Sequence, residues 1–231
     1  MKKKVMKEST AWQIGAHTVM IIGSLLAILP FILLVIASFT DNQTALVNGY
    51  SFTPEKWSLE AYQYIASEWA TIGRAYLMTI LVTVIGTALS LVITSTFAFA
   101  VSNDKLPGHK ILMFLCIFTM LFNGGLVASY YVYSNIFHIK NTIWALIVPT
   151  FLMSPFNVVL VKNYFSNSIS PSILEAARMD GAGVFAVFTK IVMPLSVPIM
   201  ATVGLMTAIG YWNGWTNGLS YLTENGGCQY F

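Results

Sequence analysis

The sequence predicts an all-α, polytopic transmembrane helix bundle, and three observations carry that prediction. Of the 231 residues, 56% are hydrophobic and only 9% charged, with a mean hydropathy of +0.70. Soluble domains carry about 25% charged residues, so the deficit makes lipid the solvent. Five stretches free of Asp, Glu, Lys and Arg reach the length of about 20 residues that a crossing needs. The Lys and Arg residues fall unevenly between the segments joining those stretches.

The first span, Val19 to Phe39, is longer than a signal-peptide core and is followed by no clear small-x-small cleavage site, so an uncleaved helix is expected. Between Asp41 and Arg74 lies a segment of alternating aromatic and polar residues. There Ser58 is expected to cap a short helix with Ala61, Tyr62, Ile65 and Trp69 on one side, the composition of an interfacial helix. The second span, Ala75 to Asn103, contains Gly86-x-x-x-Ser90, a close-packing face. In the third, Ile111 to Phe137, Gly124-Gly125 marks a break between two apolar halves. The fourth, Asn141 to Val161, holds Pro149 and Pro155, which free backbone carbonyls. The fifth, Ile191 to Thr223, has a second small-residue face at Gly204-x-x-x-Ala208. With no repeat or linker between them, residues 1–231 are expected to form one membrane domain.

Orientation follows from charge. With the N-terminus inside, Lys2, Lys3, Lys4, Lys7, Lys105, Lys110, Lys162, Arg178 and Lys190 are inside, against Lys56, Arg74 and Lys140 outside. Nine against three sets a cytoplasmic N-terminus. A net charge of +3, concentrated at the N-terminus, is too small for nucleic acid. Two cysteines make no disulfide framework, and three isolated histidines make no metal cluster.

One inner segment exceeds what a loop needs: "SPSILEAARMDGAGVFAVFTKIVMP", Ser170 to Pro194. Ser170-Pro171 reads as a helix start, with Ser able to cap free N–H groups and Pro suited to the first position. Gly181 and Gly183 read as the stop. The product is about three turns, too short to cross a membrane. Ala176, Ala177, Gly181, Ala182 and Gly183 give it a small-residue surface that a partner's groove could approach. The residues alone admit two readings: a helix gripped by another protein, or a surface helix packed on its own bundle.

The spacing Glu175-Ala176-Ala177, Gly181, Ile191 and Met193-Pro194 resembles the EAA loop of the integral membrane permeases of bacterial binding-protein-dependent ABC importers. Together with "NTIWALIVP" and "YWNGW", it is similar to the carbohydrate-uptake branch: the maltose-type, lipoprotein- and polysaccharide-type sugar permeases. The resemblance runs from the first span to Tyr221, with Met193 where Leu is usual, a volume-conserving change. It implies that residues 170–183 form a cytoplasmic coupling helix seated in an ATPase. Glu175, Ala176, Ala177, Asp180, Gly181, Ala182 and Gly183 would carry that contact, with Glu175 facing a basic residue. It further implies a bacterial cytoplasmic (inner) membrane location and a sugar or oligosaccharide substrate. Its partners would be a cytoplasmic ABC ATPase dimer, a second homologous permease subunit and an extracytoplasmic sugar-binding protein. ATP would be bound by the ATPase and no cofactor by this chain. The family has six spans with both ends inside, whereas "LTENGGCQYF" after Tyr221 offers no sixth apolar run, so a C-terminally incomplete domain is expected.

Other signals fall away. Gly181-Ala182-Gly183-Val184-Phe185-Ala186 fits a dinucleotide fingerprint, but that needs a strand before it and a helix opening at the glycines. No phosphate-binding loop is present, so the energy source is a partner. The spans hold no titratable group for an intramembrane enzyme or a proton relay. Sugars are held by aromatic faces and by amide or hydroxyl groups, which directs attention to Asn123, Asn157, Tyr211, Trp212 and Asn213. Tyr130 and Tyr131 suit interfacial anchoring better. The alternatives left open are a permease for a non-sugar solute and a membrane scaffold that docks an ATPase without transporting.

Overall fold

The computed structural model describes residues 10–103 and 106–223. The N-terminal lysine cluster, Lys105 and Cys228 lie outside these residues. The chain packs as two compact units, residues 1–73 and 74–231.

In the first unit, α1 (Thr10–Ser38) is a continuous apolar helix that passes through Pro30. Most of its apolar side chains, Val19, Leu25, Phe31 and Leu34 among them, are exposed, as suits a helix with lipid around it. A small folded cap follows. Thr40 and Trp57 form an isolated antiparallel bridge, α2 (Asn42–Asn48) and α3 (Glu60–Ser67) flank it, and the rings of Phe39 and Tyr62 meet at 5.2 Å. Ser58 accepts a hydrogen bond from the Glu60 N–H at 3.0 Å, but Leu59 and not Ser58 is the N-cap of α3, and Trp69 falls in the next helix, which corrects the cap and the face expected of this segment.

Asp41 fastens the cap. One carboxylate oxygen accepts from Lys56 Nζ at 3.1 Å; the other accepts from the Thr44 N–H at 3.3 Å and the Thr44 hydroxyl at 3.1 Å. The Lys56 hydrogen bond, aided by Thr44, holds the Asp41 carboxyl below its ordinary value of 3.8. A carboxyl depressed by folding contributes stability that is present above its unfolded pKa and lost as pH falls through the folded one. Asp41→Ala is therefore expected to speed amide hydrogen exchange across residues 42–57 at pH 7, with the difference from wild type vanishing well below pH 3.8. Comparative exchange mass spectrometry at the two pH values checks this.

In the second unit, the arm that continues α4 (Trp69–Ser102) is unbroken to Ser102. The next span is broken where expected. α5 (His109–Leu121) and α6 (Gly125–Tyr131) meet at 117°, with Gly125 at φ +79° and its N–H donating to Asn123 Oδ1 at 2.9 Å. A π-helical turn, Val132–Ile136, ends α6. The fourth expected span is divided: α7 (Ile143–Phe151) stops before Ser154, which is extended, and α8 (Pro155–Ser168) begins on Pro155. Proline forces its predecessor out of the helical region, so the division is local and steric. Beyond α9 (Pro171–Met179), α10 (Val184–Val187) runs through a π turn, Phe188–Val192, into α11 (Met193–Leu195). A 79° bend then leads into α12 (Val197–Trp212), and α13 (Trp215–Tyr221) closes the described chain.

Among the described residues, two helices are long and apolar enough to cross a membrane, or up to four if each bent pair counts as one span. The core of the second unit forms where α4, α8, α9 and α12 converge, around Ala98, Val158, Val161, Phe165 and Val203. A second cluster joins Val82, Ile147 and Tyr211. Gly86 makes that junction possible. A Cβ there would lie 2.5 Å from Tyr211 Cζ, and the Tyr211 hydroxyl donates to the Ile147 carbonyl at 2.9 Å.

Candidate functional site

Two surfaces of the second unit carry the residues singled out by the sequence. The first is α9 and its turn. Ser170 takes the extended N-cap conformation and Pro171 opens the helix, but the Ser170 hydroxyl bonds the Ser172 hydroxyl at 2.7 Å and caps no helix N–H. That corrects the capping expected of it: the neighbouring hydroxyl is the nearer partner. The stop is a Schellman motif. Gly181 at φ +79° donates to Arg178 O at 3.1 Å, and the Ala182 N–H reaches back to Ala177 O at 3.0 Å. No atom lies within 4 Å of a Cβ built on Gly181, so glycine is needed there for its backbone and not for space.

The small-residue surface is split between two uses. Ala177 is buried and, with Leu174 and Ala182, seats α9 on the bundle core. Glu175, Ala176, Asp180, Gly181 and Gly183 stay exposed. Around the turn, Met179 is 89%, Val184 70% and Phe185 79% exposed, an apolar rim at the end of a helix that also carries charge. Exposed apolar clusters with polar surroundings mark contact surfaces. On the other flank, a groove of about 260 Å³ runs between α9 and the ends of α4 and α8, with Glu175 and Arg178 on its edge.

Gly181→Val is expected to strain this turn by about 1–3 kcal/mol, whereas Gly181→Asn, which tolerates the left-handed region, costs less. Limited proteolysis near residue 181 should accelerate in the first variant and change little in the second.

The second surface is a chamber of about 430 Å³ with Tyr211, Trp212 and Asn213 on one side, Thr79 and Val82 of α4 on another, and Trp215 at its mouth. Three sequence candidates thus meet in one place. Tyr211 lines it while its hydroxyl is committed to Ile147. Asn157 does not join them: it is buried and donates to Thr207 Oγ1 at 3.2 Å, linking α8 to α12. Asn123 is exposed at the α5–α6 break. Tyr130 stacks on Tyr221 at 5.7 Å and accepts from Lys140 Nζ at 3.1 Å. Two residues escaped the sequence reading: Trp215, present in the aromatic motif but not weighed, and Met179. Among the described residues no group of His, Cys, Asp or Glu could hold a metal ion.

Residues 13–230 match the family described as "Binding-protein-dependent transport system inner membrane component". The chain belongs to this family. It is 39% identical over 202 residues to the polygalacturonan/rhamnogalacturonan transport system permease protein YtcP of Bacillus subtilis, covering 87% of this chain and 69% of that one. It is 34% identical over 200 residues to protein LplC of the same organism, covering 87% and 66%. The matched part therefore spans about two thirds of the length of these relatives. Among solved structures, a bacterial ABC transporter involved in import of the acidic polysaccharide alginate superposes with a TM-score of 0.83 at 27% identity, over 99% of this chain and 80% of that one. The permease family is one of membrane transport components and not of enzymes, and the helical bundle described above is the fold of its ABC members.

Proposed function

We propose that this permease subunit moves an oligosaccharide inward across the bacterial cytoplasmic membrane, powered by a separate ATPase dimer. A second homologous permease subunit completes the pathway, and an extracytoplasmic binding protein delivers the sugar. The saccharide cargo rests on the relatives, whose named substrates are polygalacturonan, rhamnogalacturonan and alginate. The observation that carries the drive mechanism is the exposed apolar rim of Met179, Val184 and Phe185 around the Gly181 turn. Three large apolar side chains exposed together beside charged residues are the composition of a contact surface.

In this reading α9 is the coupling helix. Ala177 and Leu174 fix it to the bundle; Glu175, Ala176, Asp180 and the Gly181–Ala182–Gly183 turn meet the ATPase. Glu175 pairs with a basic residue there, and an Arg partner would give two parallel charge-assisted bonds. When nucleotide closes the ATPase dimer, α9 moves with it and the bundle changes state. Trp212, Asn213 and Trp215 offer the passing sugar apolar ring faces and an amide; Asn123 and Asn157 are the more remote polar candidates. ATP stays with the ATPase, and this chain binds no cofactor of its own.

The test is reconstitution of the permease pair and ATPase in vesicles with the binding protein. Sugar-dependent ATP hydrolysis and accumulation of labelled oligosaccharide are expected. ATPase binding without sugar-stimulated hydrolysis would make this a docking scaffold. Orientation is tested in intact cells: a cysteine at Val47 should react with a membrane-impermeant maleimide, and one at Ala182 only after permeabilisation. Reversal of that order would overturn the cytoplasmic N-terminus.

A further inference from the structure

Beyond Thr71, which donates to the Glu68 carboxylate at 3.4 Å, the Ser and Thr residues of α4 fall into two groups. Thr79, Ser95, Thr96 and Ser102 each donate to a carbonyl of their own helix, between 2.7 and 3.2 Å. Thr83, Thr87, Ser90 and Thr94 have covered oxygens with no hydrogen-bond partner, and Ser90 and Thr94 are completely buried. A helical Thr or Ser always has a carbonyl of the preceding turn within reach. Leaving that bond unmade in a buried site is costly unless something else satisfies the hydroxyl.

The four are not scattered. Spacings of four, three and four residues put them within an arc of roughly 60° and over a rise of about 16 Å, more than half the hydrocarbon thickness of a bilayer. Successive members lie about 5–6 Å apart at Cβ, the separation one water molecule bridges with two hydrogen bonds. Gly86, on the edge of the same arc, abuts Tyr211, and Leu91 abuts Gly204, so the row lies where α4 faces α12. One turn before Thr83, Thr79 lines the 430 Å³ chamber, which gives the row an open end.

We propose that Thr83, Thr87, Ser90 and Thr94 hold a file of water molecules in the α4–α12 contact, and that this hydrated seam lets α4 shift against α12 as the permease changes state. A dry, interdigitated helix contact resists sliding because ridges must leave their grooves. A seam of bridging waters exchanges partners at little enthalpic cost. The transport role rests on the function proposed above; the hydration of the seam does not.

The test replaces the hydroxyls with apolar shapes of similar size, Thr87→Val, Ser90→Ala and Thr94→Val together, in the complete complex. The melting temperature in detergent should rise, and sugar transport should fall by about tenfold, the trade of motion for stability. ATPase association should not change. The control Thr87→Ser with Thr94→Ser keeps the hydroxyls and should transport within about twofold of wild type. Wild-type transport by the triple variant would reduce the row to packing. A lowered melting temperature or failed recovery would mean that direct bonds satisfy the hydroxyls. Radiolytic hydroxyl footprinting reads the water itself: Leu91, which packs against Gly204 at the seam, should label in wild type and lose most of that label in the triple variant. Equal labelling overturns the seam. If even the wild type fails to transport, the function above has failed and the footprint still decides the hydration.

Discussion

Glu175→Lys should abolish transport while leaving the protein in the membrane at normal levels. Glu175 is exposed at the edge of the α9 groove, and the one ion pair among the described residues is Lys56–Asp41, so its reversal breaks no bridge among them. The apolar spans are untouched, and insertion should proceed as in wild type. At the proposed interface, a lysine would face a basic residue in place of a carboxylate, and a close charge pair broken on one side costs roughly 2–5 kcal/mol. That is enough to weaken ATPase association by more than an order of magnitude. Pull-down of the ATPase and vesicle transport measure the two effects. A compensating basic-to-acidic change on the ATPase should restore part of both. Full transport by Glu175→Lys would remove α9 from the coupling role, and loss of membrane insertion would make it a folding element.

Gly86→Val is expected to be the most damaging change to the bundle itself. The added Cβ would stand 2.5 Å from Tyr211 Cζ, with two further ring carbons at 2.7 and 2.9 Å, closer than real Cβ atoms come. The ring cannot swing aside cheaply, because its hydroxyl is held by Ile147 O and its body packs in the cluster with Val82. Overpacking costs about 1–3 kcal/mol, and a displaced buried hydrogen bond adds about 1 kcal/mol. The melting temperature of the solubilised subunit should drop by several degrees. Tyr211→Val, which removes the ring, should be less harmful on the Gly86→Val background than alone, the signature of two residues sharing one space. Additive losses would mean the helices separate and the contact is not tight.

Much of this was legible locally. Pro171 and Gly181 bracket a helix because each acts through its own backbone, fixed φ in one case and tolerance of positive φ in the other. Gly124-Gly125 broke its helix for the same reason. What stayed hidden depends on residues distant in the chain. Nothing near Gly86 announces that residue 211 will fill its missing side chain, nor anything near Tyr211 that its hydroxyl is committed to Ile147, 64 positions away. Asn157 meets Thr207 across 50 positions. The divided fourth span was half visible: Pro149 lies inside α7 without ending it, while Pro155 starts a new helix, and residue type alone does not separate the two cases.

The division of that span has a consequence for how the protein is made. α7 has nine residues, too few to cross a bilayer, so it cannot be held there by length and hydrophobicity alone. Besides its packing on Val82 and Tyr211, it is fastened from the end of the described chain: Asn141 donates its N–H to Tyr221 O at 3.1 Å and accepts from the Thr223 N–H at 2.9 Å, and Asn217 reaches Leu146 O at 3.4 Å. Those partners are synthesised some 70 to 80 residues later. At about 5–20 residues per second, the ribosome leaves α7 without its clamp for several seconds. Full docking of α7 is therefore expected only after residues 217–223 have been translated, so the middle of the bundle settles later than its place in the chain suggests.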